Sequence, residues 1–135
     1  MKNINVVFDV NIWISIFIKQ KYEFIEMLIF DYNITLCRSN ELTSELVSVL
    51  SRKKIKKYFE LDIIEYIAYY EKYSLLFLTK PVFADCIDPN DNYLFDLANQ
   101  SGAKYLVTGD KIVLQTKTIF PLEVISFSDF RTMFK

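Results

Sequence analysis

Residues 3–15 read NINVVFDVNIWIS, and this stretch decides the fold class. Its first half, Asn3 to Phe8, is short, apolar and β-branched, which is typical of a buried parallel strand. A helix is predicted over Asn11 to Ile18, so the chain passes from strand to helix within a few residues. Asp9 stands at the junction. A strand followed closely by a helix favours an α/β protein.

The rest of the chain repeats this alternation. Further strands are predicted at residues 34–37, 75–78, 105–107 and 123–125. Further helices are predicted at residues 22–30, 41–50, 62–73 and 88–100, and in a terminal segment that Ser128 caps. Alternating strands and helices predict one α/β/α sandwich over residues 1–135, with a central, mostly parallel sheet.

Composition narrows the class of protein. The chain has 135 residues, 52% of them hydrophobic, which suffices for a folded core without disulfides. No apolar run reaches the ~18 residues that span a membrane, and residues 1–8 do not resemble a signal peptide. We expect a cytoplasmic protein with no membrane association, in which Cys37 and Cys86 are reduced core thiols.

The chain contains no histidine. This excludes histidine-dependent triads, histidine-based RNA cleavage and ordinary zinc sites. Hydrolytic chemistry would therefore rest on carboxylates, whose oxygen atoms suit Mg²⁺ or Mn²⁺. The net charge of −1 gives no general basic field that would indicate a nucleic-acid partner.

Two acids follow predicted strands. Asp9 comes directly after the first strand, and Asp110 comes three residues after the strand at 105–107. In a parallel sheet both would lie at the carboxyl edge, where ligands of such folds bind. Taken singly, each could equally be a turn-forming aspartate.

Two further acids are placed by helical geometry. Asp91 projects on the side of the apolar stripe of its helix, whereas Asn92 and Asp96 are expected on the solvent side. Asp91 could be held by its own helix N-terminus, but beside two other carboxylates we favour a metal. On the preceding helix, Glu41 and Glu45 are each more often solvated than functional, and Glu45 is the better candidate because it flanks the core-facing side.

Carboxylates crowded at one edge raise one another's pKa, and a divalent cation relieves the repulsion. Such a cation also lowers the pKa of a bound water and stabilises charge on a phosphate. Asn11, Ser15 and Thr108 are predicted to complete the surroundings with neutral oxygens and hydrogen bonds.

Four motifs carry a family resemblance. Residues 9–15, DVNIWIS, look like a D-T-N-hydrophobic start, and residues 41–52, ELTSELVSVLSR, look like an acidic helix whose functional glutamate precedes a leucine. Residues 88–92, DPNDN, resemble D-P-x-D-[DN], and residues 108–110 form a T-G-D turn. In this order and spacing they closely resemble the PIN domain, and within it the VapC-like ribonuclease toxins of bacterial and archaeal toxin–antitoxin systems.

The resemblance implies a chemistry. Asp9, Asp91 and Asp110 would hold one or two Mg²⁺ or Mn²⁺ ions, with Glu45 binding an ion or orienting the attacking water. It also implies an RNA substrate, a small inhibitory antitoxin and a homodimer. The chain departs from the family pattern at Val10, where threonine is usual, and at Asn92, where some relatives have a second aspartate.

Two other features of the sequence have both a functional and an ordinary structural interpretation. A basic stretch could contact RNA phosphates or could simply be a solvated surface; it contains Arg52, Lys53, Lys54, Lys56 and Lys57. Tyrosines at residues 66, 69, 70 and 73 share one helix face and are expected to pack in the core or at a dimer interface rather than to stack on bases. Trp13 is expected to be a packing or interface residue rather than a substrate contact.

The resemblance implies a metal-dependent endoribonuclease, and two alternatives remain open. One is a PIN fold that has lost catalysis and acts as a binding or regulatory module. The other is a metal-dependent DNA nuclease or phosphoesterase that uses the same acids. A phosphatase with a D-x-D nucleophile loop fits poorly, because residues 9–11 read DVN.

Overall fold

The structure, a computed structural model, describes residues 2–134. Its centre is a five-stranded sheet in which every neighbouring pair is parallel, in the order β3-β2-β1-β4-β5. The strands are β1 (Ile4–Phe8), β2 (Ile34–Arg38), β3 (Ser74–Leu76), β4 (Tyr105–Val107) and β5 (Glu123–Ile125). The predicted parallel α/β/α architecture is confirmed.

Helices follow each strand. They are α1 (Val10–Lys19), α2 (Tyr22–Phe30), α3 (Asn40–Leu50), α4 (Lys53–Lys56), α5 (Ile63–Lys72), α6 (Asn92–Gln100), α7 (Lys111–Leu114) and α8 (Phe127–Met133). A 3₁₀ turn, Pro89–Asp91, leads into α6. Gly102, with φ of 69°, adopts the left-handed conformation just beyond α6, as expected for the residue that ends a helix.

The strand order reverses between β1 and β4. The chain builds the sheet outward from β1 to β3, then returns through α6 to β4 on the other side of β1. Because parallel crossovers are right-handed, α1, α3 and α5 cover one face and α6 covers the other. The point of reversal leaves a crevice at the carboxyl edge of the sheet, beside the ends of β1 and β4.

The core on the α1 side is largely aromatic. Trp13 is fully buried and meets Tyr70 edge-to-face with ring centroids 5.0 Å apart, and Phe17 packs on Tyr66 at 5.1 Å. The predicted packing roles of Trp13 and of this tyrosine face are confirmed. These rings fix α1 and α5 against each other beneath the sheet edge that carries Asp9.

Several predicted boundaries were wrong in detail. β3 covers residues 74–76 rather than 75–78, because it pairs with β2 only from Leu36 to Arg38. Ser126, not Ser128, caps α8, since its side chain accepts a hydrogen bond from Asp129 N at 3.1 Å. Asp62 occupies the N-cap position of α5 but makes no side-chain cap bond.

The expected solvent positions of Asn92 and Asp96 were also wrong. Asp96 is 6% exposed, and its Oδ1 accepts hydrogen bonds from Val82 N at 3.0 Å and Phe83 N at 2.7 Å. Asn92 Oδ1 accepts from Cys86 N at 3.1 Å. The irregular segment 77–88 packs over the face of α6 that helical periodicity alone assigned to water.

Within residues 2–134, no helix is long and apolar enough to cross a bilayer. Cys37 and Cys86 are buried free thiols, and burial raises the pKa of each to about 11. They therefore behave as small apolar core residues rather than as reactive thiolates.

Candidate metal centre

Asp9 and Thr108 meet where β1 and β4 end. Phe8 and Val107 are partners in the parallel register, so the residues that follow them emerge side by side. Asp9 N donates to Val107 O at 2.9 Å, and the Thr108 hydroxyl donates to Asp9 Oδ2 at 2.7 Å. Both side chains are buried, with 7% and 0% exposure. The hydroxyl thus holds the Asp9 carboxylate in one orientation.

Asp110 is tied to the same pair. Its backbone N–H donates to Thr108 Oγ1 at 3.0 Å, so this hydroxyl accepts from one aspartate and donates to the other. Its carboxylate caps α7 by accepting from Ile112 N at 2.9 Å. The T-G-D turn therefore uses its threonine to couple the two acids of neighbouring strands.

Asp91 reaches the site from the 3₁₀ turn before α6. Asp88 caps this turn by accepting from Asn90 N at 3.0 Å, and Pro89 begins it. Asp91 is half-buried and lies at the N-cap position of α6 without a side-chain cap bond. Its carboxylate is therefore not held by the N-terminus of its own helix, which was the alternative to holding a metal.

Glu45 approaches from α3. Ser39 starts this helix, with its hydroxyl accepting from Leu42 N at 3.2 Å, as predicted from the sequence. Glu45 lies on the exposed side of the buried Leu42 and Leu46 stripe, and its Oε1 is 4.0 Å from Arg52 Nη2. Both side chains of this pair are substantially exposed, so the pair is weak.

All four predicted acids line one cavity of about 860 Å³ at the carboxyl edge of the sheet. Other lining side chains were not predicted as site residues. They are Val10, Asn40, Glu41, Ser44, Val49, Asp88, Asn90 and Tyr93. Glu41 and Asp88 could have been found from the same motifs, since each stands one helical turn or less before a predicted acid.

The acids perturb one another. Burial raises the pKa of Asp9, and repulsion from Asp110 and Glu45 adds to it, against the opposing hydrogen bonds from Thr108 and the backbone of Val10. Burial, then repulsion from Asp88, Asp110, Asp9 and Glu45, raises the pKa of Asp91 to about 6. The cavity therefore concentrates negative charge that the protein itself does not neutralise.

The pKa of Tyr93 is raised by burial and by the same carboxylates. Burial raises the pKa of its phenol, and Asp9, Glu45 and Asp91 raise it further. The aromatic ring is half-buried on the first turn of α6 and lines the cavity. Its hydroxyl is therefore protonated at neutral pH and can donate a hydrogen bond, in a cavity that also contains these three carboxylates.

The chemistry of the donor set fits a hard divalent cation. Carboxylate oxygens on several sides of a polar cavity are the ligands that Mg²⁺ and Mn²⁺ prefer. In the described part of the chain, no three acidic or cysteine side chains are already close enough to form a ready-made metal cluster. A bound cation would relieve the repulsion among these carboxylates.

The other predicted residues divide into two groups. Asn11 and Arg52 line the cavity, and Thr108 contacts it through its bond to Asp9. Ser15 is half-buried on α1 and does not line it. Of the lysines, Lys56 borders a separate groove, and Lys53, Lys54 and Lys57 are exposed on and beside α4.

A family model described as PIN domain matches residues 5–112, which is most of the chain and includes all four acids. The chain belongs to the PIN domain family. The resemblance found in the motifs is thereby confirmed, and membership supports a nuclease, that is, a hydrolase acting on nucleic acids.

Solved structures share the fold of this PIN domain. One is the crystal structure of VapBC2 from Rickettsia felis bound to a DNA fragment from their promoter, at 18% identity and a TM-score of 0.60; the match covers 91% of this chain and 98% of the other. Another is the PIN domain endonuclease Utp24, at 18% identity and a TM-score of 0.54, covering 90% and 84%. No curated protein matches by sequence.

Proposed function

We propose that this PIN domain is a metal-dependent endoribonuclease that hydrolyses RNA phosphodiesters. The observation that carries the proposal is the meeting of Asp9, Glu45, Asp91 and Asp110 around one cavity at the point where the strand order reverses. Four carboxylates from separate elements, with so little neutralising charge, are costly unless a cation joins them.

Each acid has a role in the proposal. Asp9, Asp91 and Asp110 would hold one or two Mg²⁺ or Mn²⁺ ions, with Glu45 binding an ion or orienting the attacking water. Such ions lower the pKa of water and offset charge that develops on the phosphate. The Thr108 hydroxyl keeps Asp9 in place, and Ile112 N–H keeps Asp110 in place, so that little reorganisation is needed.

RNA would approach along the basic side of the cavity. Within residues 2–134, Arg52 is the cation that lines it, and Lys53, Lys54, Lys56 and Lys57 continue from there along α4. A strip of positive charge beside an acidic centre can hold the phosphates that flank the cleaved bond. The nuclease would thereby attract a polyanion despite a net charge of −1.

We further propose that the nuclease is the toxin of a toxin–antitoxin pair. The fold similarity to VapBC2 from Rickettsia felis supports this biological setting, as do the VapC-like motifs. A small antitoxin protein, a homodimer and a cytoplasmic location belong to the same proposal. Size-exclusion chromatography with light scattering would test the dimer independently of catalysis.

A second candidate is a PIN fold that works as a binding or regulatory module without catalysis. Val10 in place of the usual threonine favours it, because one hydroxyl beside the acids is missing. The two candidates differ in a simple observable, since the module would bind neither Mg²⁺ nor Mn²⁺ at the cavity.

The test is cleavage of mixed RNA by the purified protein with Mn²⁺, Mg²⁺ or EDTA. Cleavage with metal is expected, and EDTA, Asp9→Ala or Asp91→Ala should abolish it. The matched control is Asp31→Ala, an exposed acid at the end of α2, which should cleave like the wild type. Circular dichroism would establish that all variants are folded.

Other results would redirect the assignment. Metal binding without RNA cleavage, but with cleavage of DNA or of a small phosphodiester, would replace RNA as the substrate. Absence of both metal binding and cleavage would favour the non-catalytic module.

A further inference from the structure

Tyr93 contributes an unpaired hydroxyl to the acidic cavity. Within residues 2–134 this hydroxyl forms no hydrogen bond, whereas that of Tyr70 pairs with Thr43 Oγ1 at 3.0 Å. The buried side-chain atoms left without a partner in this part are Trp13 Nε1 and Tyr69 Oη. The Tyr93 hydroxyl also has no partner among residues 2–134 but is not fully buried, so solvent reaches it. Its side chain lines the cavity.

The wall of the cavity is rich in acceptors. Six of its lining side chains are carboxylates, which accept hydrogen bonds and repel an anion, and Tyr93 is one of a few neutral donors beside them, with Ser44 and three asparagines. A phenol at neutral pH is a donor, and it carries no charge that would compete with a cation for the carboxylates. Tyr93 donates to none of Asp9, Glu45 or Asp91, although all three act on it electrostatically.

A substrate phosphate bound at this centre would bring acceptors to the same place. As water attacks, a bond forms from phosphorus to the water oxygen and the bond to one bridging oxygen breaks, while the non-bridging oxygens gain negative charge. A neutral donor on a side chain that lines the cavity can stabilise that charge. Arg52, the cation of the cavity, is by contrast paired with Glu45 and largely exposed.

We propose that the Tyr93 hydroxyl contacts the substrate by donating a hydrogen bond to a non-bridging oxygen of the phosphate undergoing cleavage. The inference rests on the proposed nuclease function and adds a substrate contact to it. It assigns no role to Tyr93 in holding the metal.

The test uses Tyr93→Phe, which removes the hydroxyl and keeps the ring. With Mg²⁺, kcat/KM for RNA cleavage should fall about tenfold or more, as expected for a lost hydrogen bond to a charged group. Calorimetric titration of inorganic phosphate into the Mg²⁺-loaded protein should show affinity weakened about fivefold to tenfold. Binding of Mg²⁺ alone should be unchanged.

The matched control is Tyr70→Phe, which removes the hydroxyl bonded to Thr43 outside the cavity lining. It should lower thermal stability slightly while leaving phosphate affinity and cleavage at wild-type levels. This comparison separates loss of a substrate contact from loss of core packing.

The outcomes distinguish the two proposals. If wild type cleaves RNA and Tyr93→Phe matches it in cleavage and phosphate affinity, the Tyr93 contact is wrong and the nuclease stands. If wild type cleaves no RNA but binds phosphate more tightly than Tyr93→Phe, the contact stands and the ribonuclease assignment fails. Absence of phosphate binding by the wild type, or weaker Mg²⁺ binding by the variant, would overturn the contact.

Discussion

Asp9 and Asp96 are equally buried, at 7% and 6% exposure, yet their surroundings differ. Asp96 Oδ1 accepts hydrogen bonds from two backbone N–H groups of segment 77–88. Asp9 is held by one threonine hydroxyl and faces the charges of Asp110 and Glu45. Asp96 therefore stabilises the fold, whereas Asp9 would be stabilised by a bound cation.

Burial alone therefore does not mark a functional carboxylate. The two carboxylates differ in their neighbours. Hydrogen-bond donors contact Asp96, whereas other acids lie near Asp9. A buried acid surrounded by donors contributes to stability, whereas one surrounded by acids reduces stability until a ligand binds. Substitutions should therefore separate stability from activity at these two positions.

The largest effects are expected when Asp9 and Asp96 are each replaced in a separate variant. Asp9→Asn should reduce metal-dependent cleavage about 100-fold or more while the protein remains folded, because a charged metal ligand is lost. Asp96→Ala should instead lower the free energy of unfolding by about 2–4 kcal/mol, since two N–H groups lose their acceptor. Urea denaturation and cleavage assays below the midpoint would measure both.

Asp85→Ala provides the matched control, because this acid lies exposed in the same segment as the N–H groups that Asp96 holds. It should change stability by no more than about 0.5 kcal/mol. Loss of stability in Asp9→Asn comparable to that of Asp96→Ala would contradict the distinction between the two regions.

A smaller effect is expected from pH at Asp91. Because the pKa of Asp91 is raised to about 6, its contribution to stability is complete below about pH 4 and is lost as the pH rises through 6. Without metal, wild type should therefore lose stability relative to Asp91→Asn over this range. Above it, the variant should melt about 2–5 °C higher than wild type.

Mg²⁺ should reverse this order at pH 7, raising the melting temperature of wild type more than that of Asp91→Asn. Protons compete with the metal, so Mg²⁺ affinity of the wild type should decrease as the pH falls below 6. Thermal melts across pH with and without Mg²⁺ would measure this, and equal pH profiles for the two proteins would remove Asp91 from the repulsive cluster.

The smallest effect is expected at the edge of the cavity. Arg52→Ala should leave stability nearly unchanged, because the Arg52–Glu45 pair is exposed and its atoms are 4.0 Å apart. RNA affinity should fall severalfold, and the salt dependence of binding should become shallower by about one phosphate contact. Fluorescence anisotropy with EDTA would measure binding apart from cleavage.

Lys104→Ala is the control for Arg52, since Lys104 directly precedes β4 and so lies at the opposite edge of the sheet from the cavity. Equal loss of RNA affinity in the two variants would indicate a diffuse electrostatic effect rather than a path beside the acids.

Local patterns predicted the sheet well because they act over a few residues. The bounds of β4 and β5 were correct, and β1 and β2 were correct to within one residue, since buried parallel strands are short apolar runs. Asp9 and Asp110 were placed at the right edge by strand direction alone. Their coupling through Thr108 could not be predicted, because it depends on the register between β1 and β4.

The errors arose where distant parts of the chain meet. Helical periodicity put Asp96 in water because it carries no information about segment 77–88, which covers that face of α6. Tyr93 was missed because an aromatic residue on a helix usually packs in a core. Only the assembled structure shows that Tyr93 lines the cavity.

Segment 77–88 is held to α6 mainly through its backbone. Gln100 Nε2 donates to Lys80 O at 2.7 Å, Asp96 accepts from Val82 N and Phe83 N, and Asn92 accepts from Cys86 N. The path of this loop therefore depends on donors and acceptors of α6, together with the stacking of Phe83 on Phe95 at 4.8 Å. The exposed side chains of the loop take no part in these bonds, so they can be substituted without displacing it.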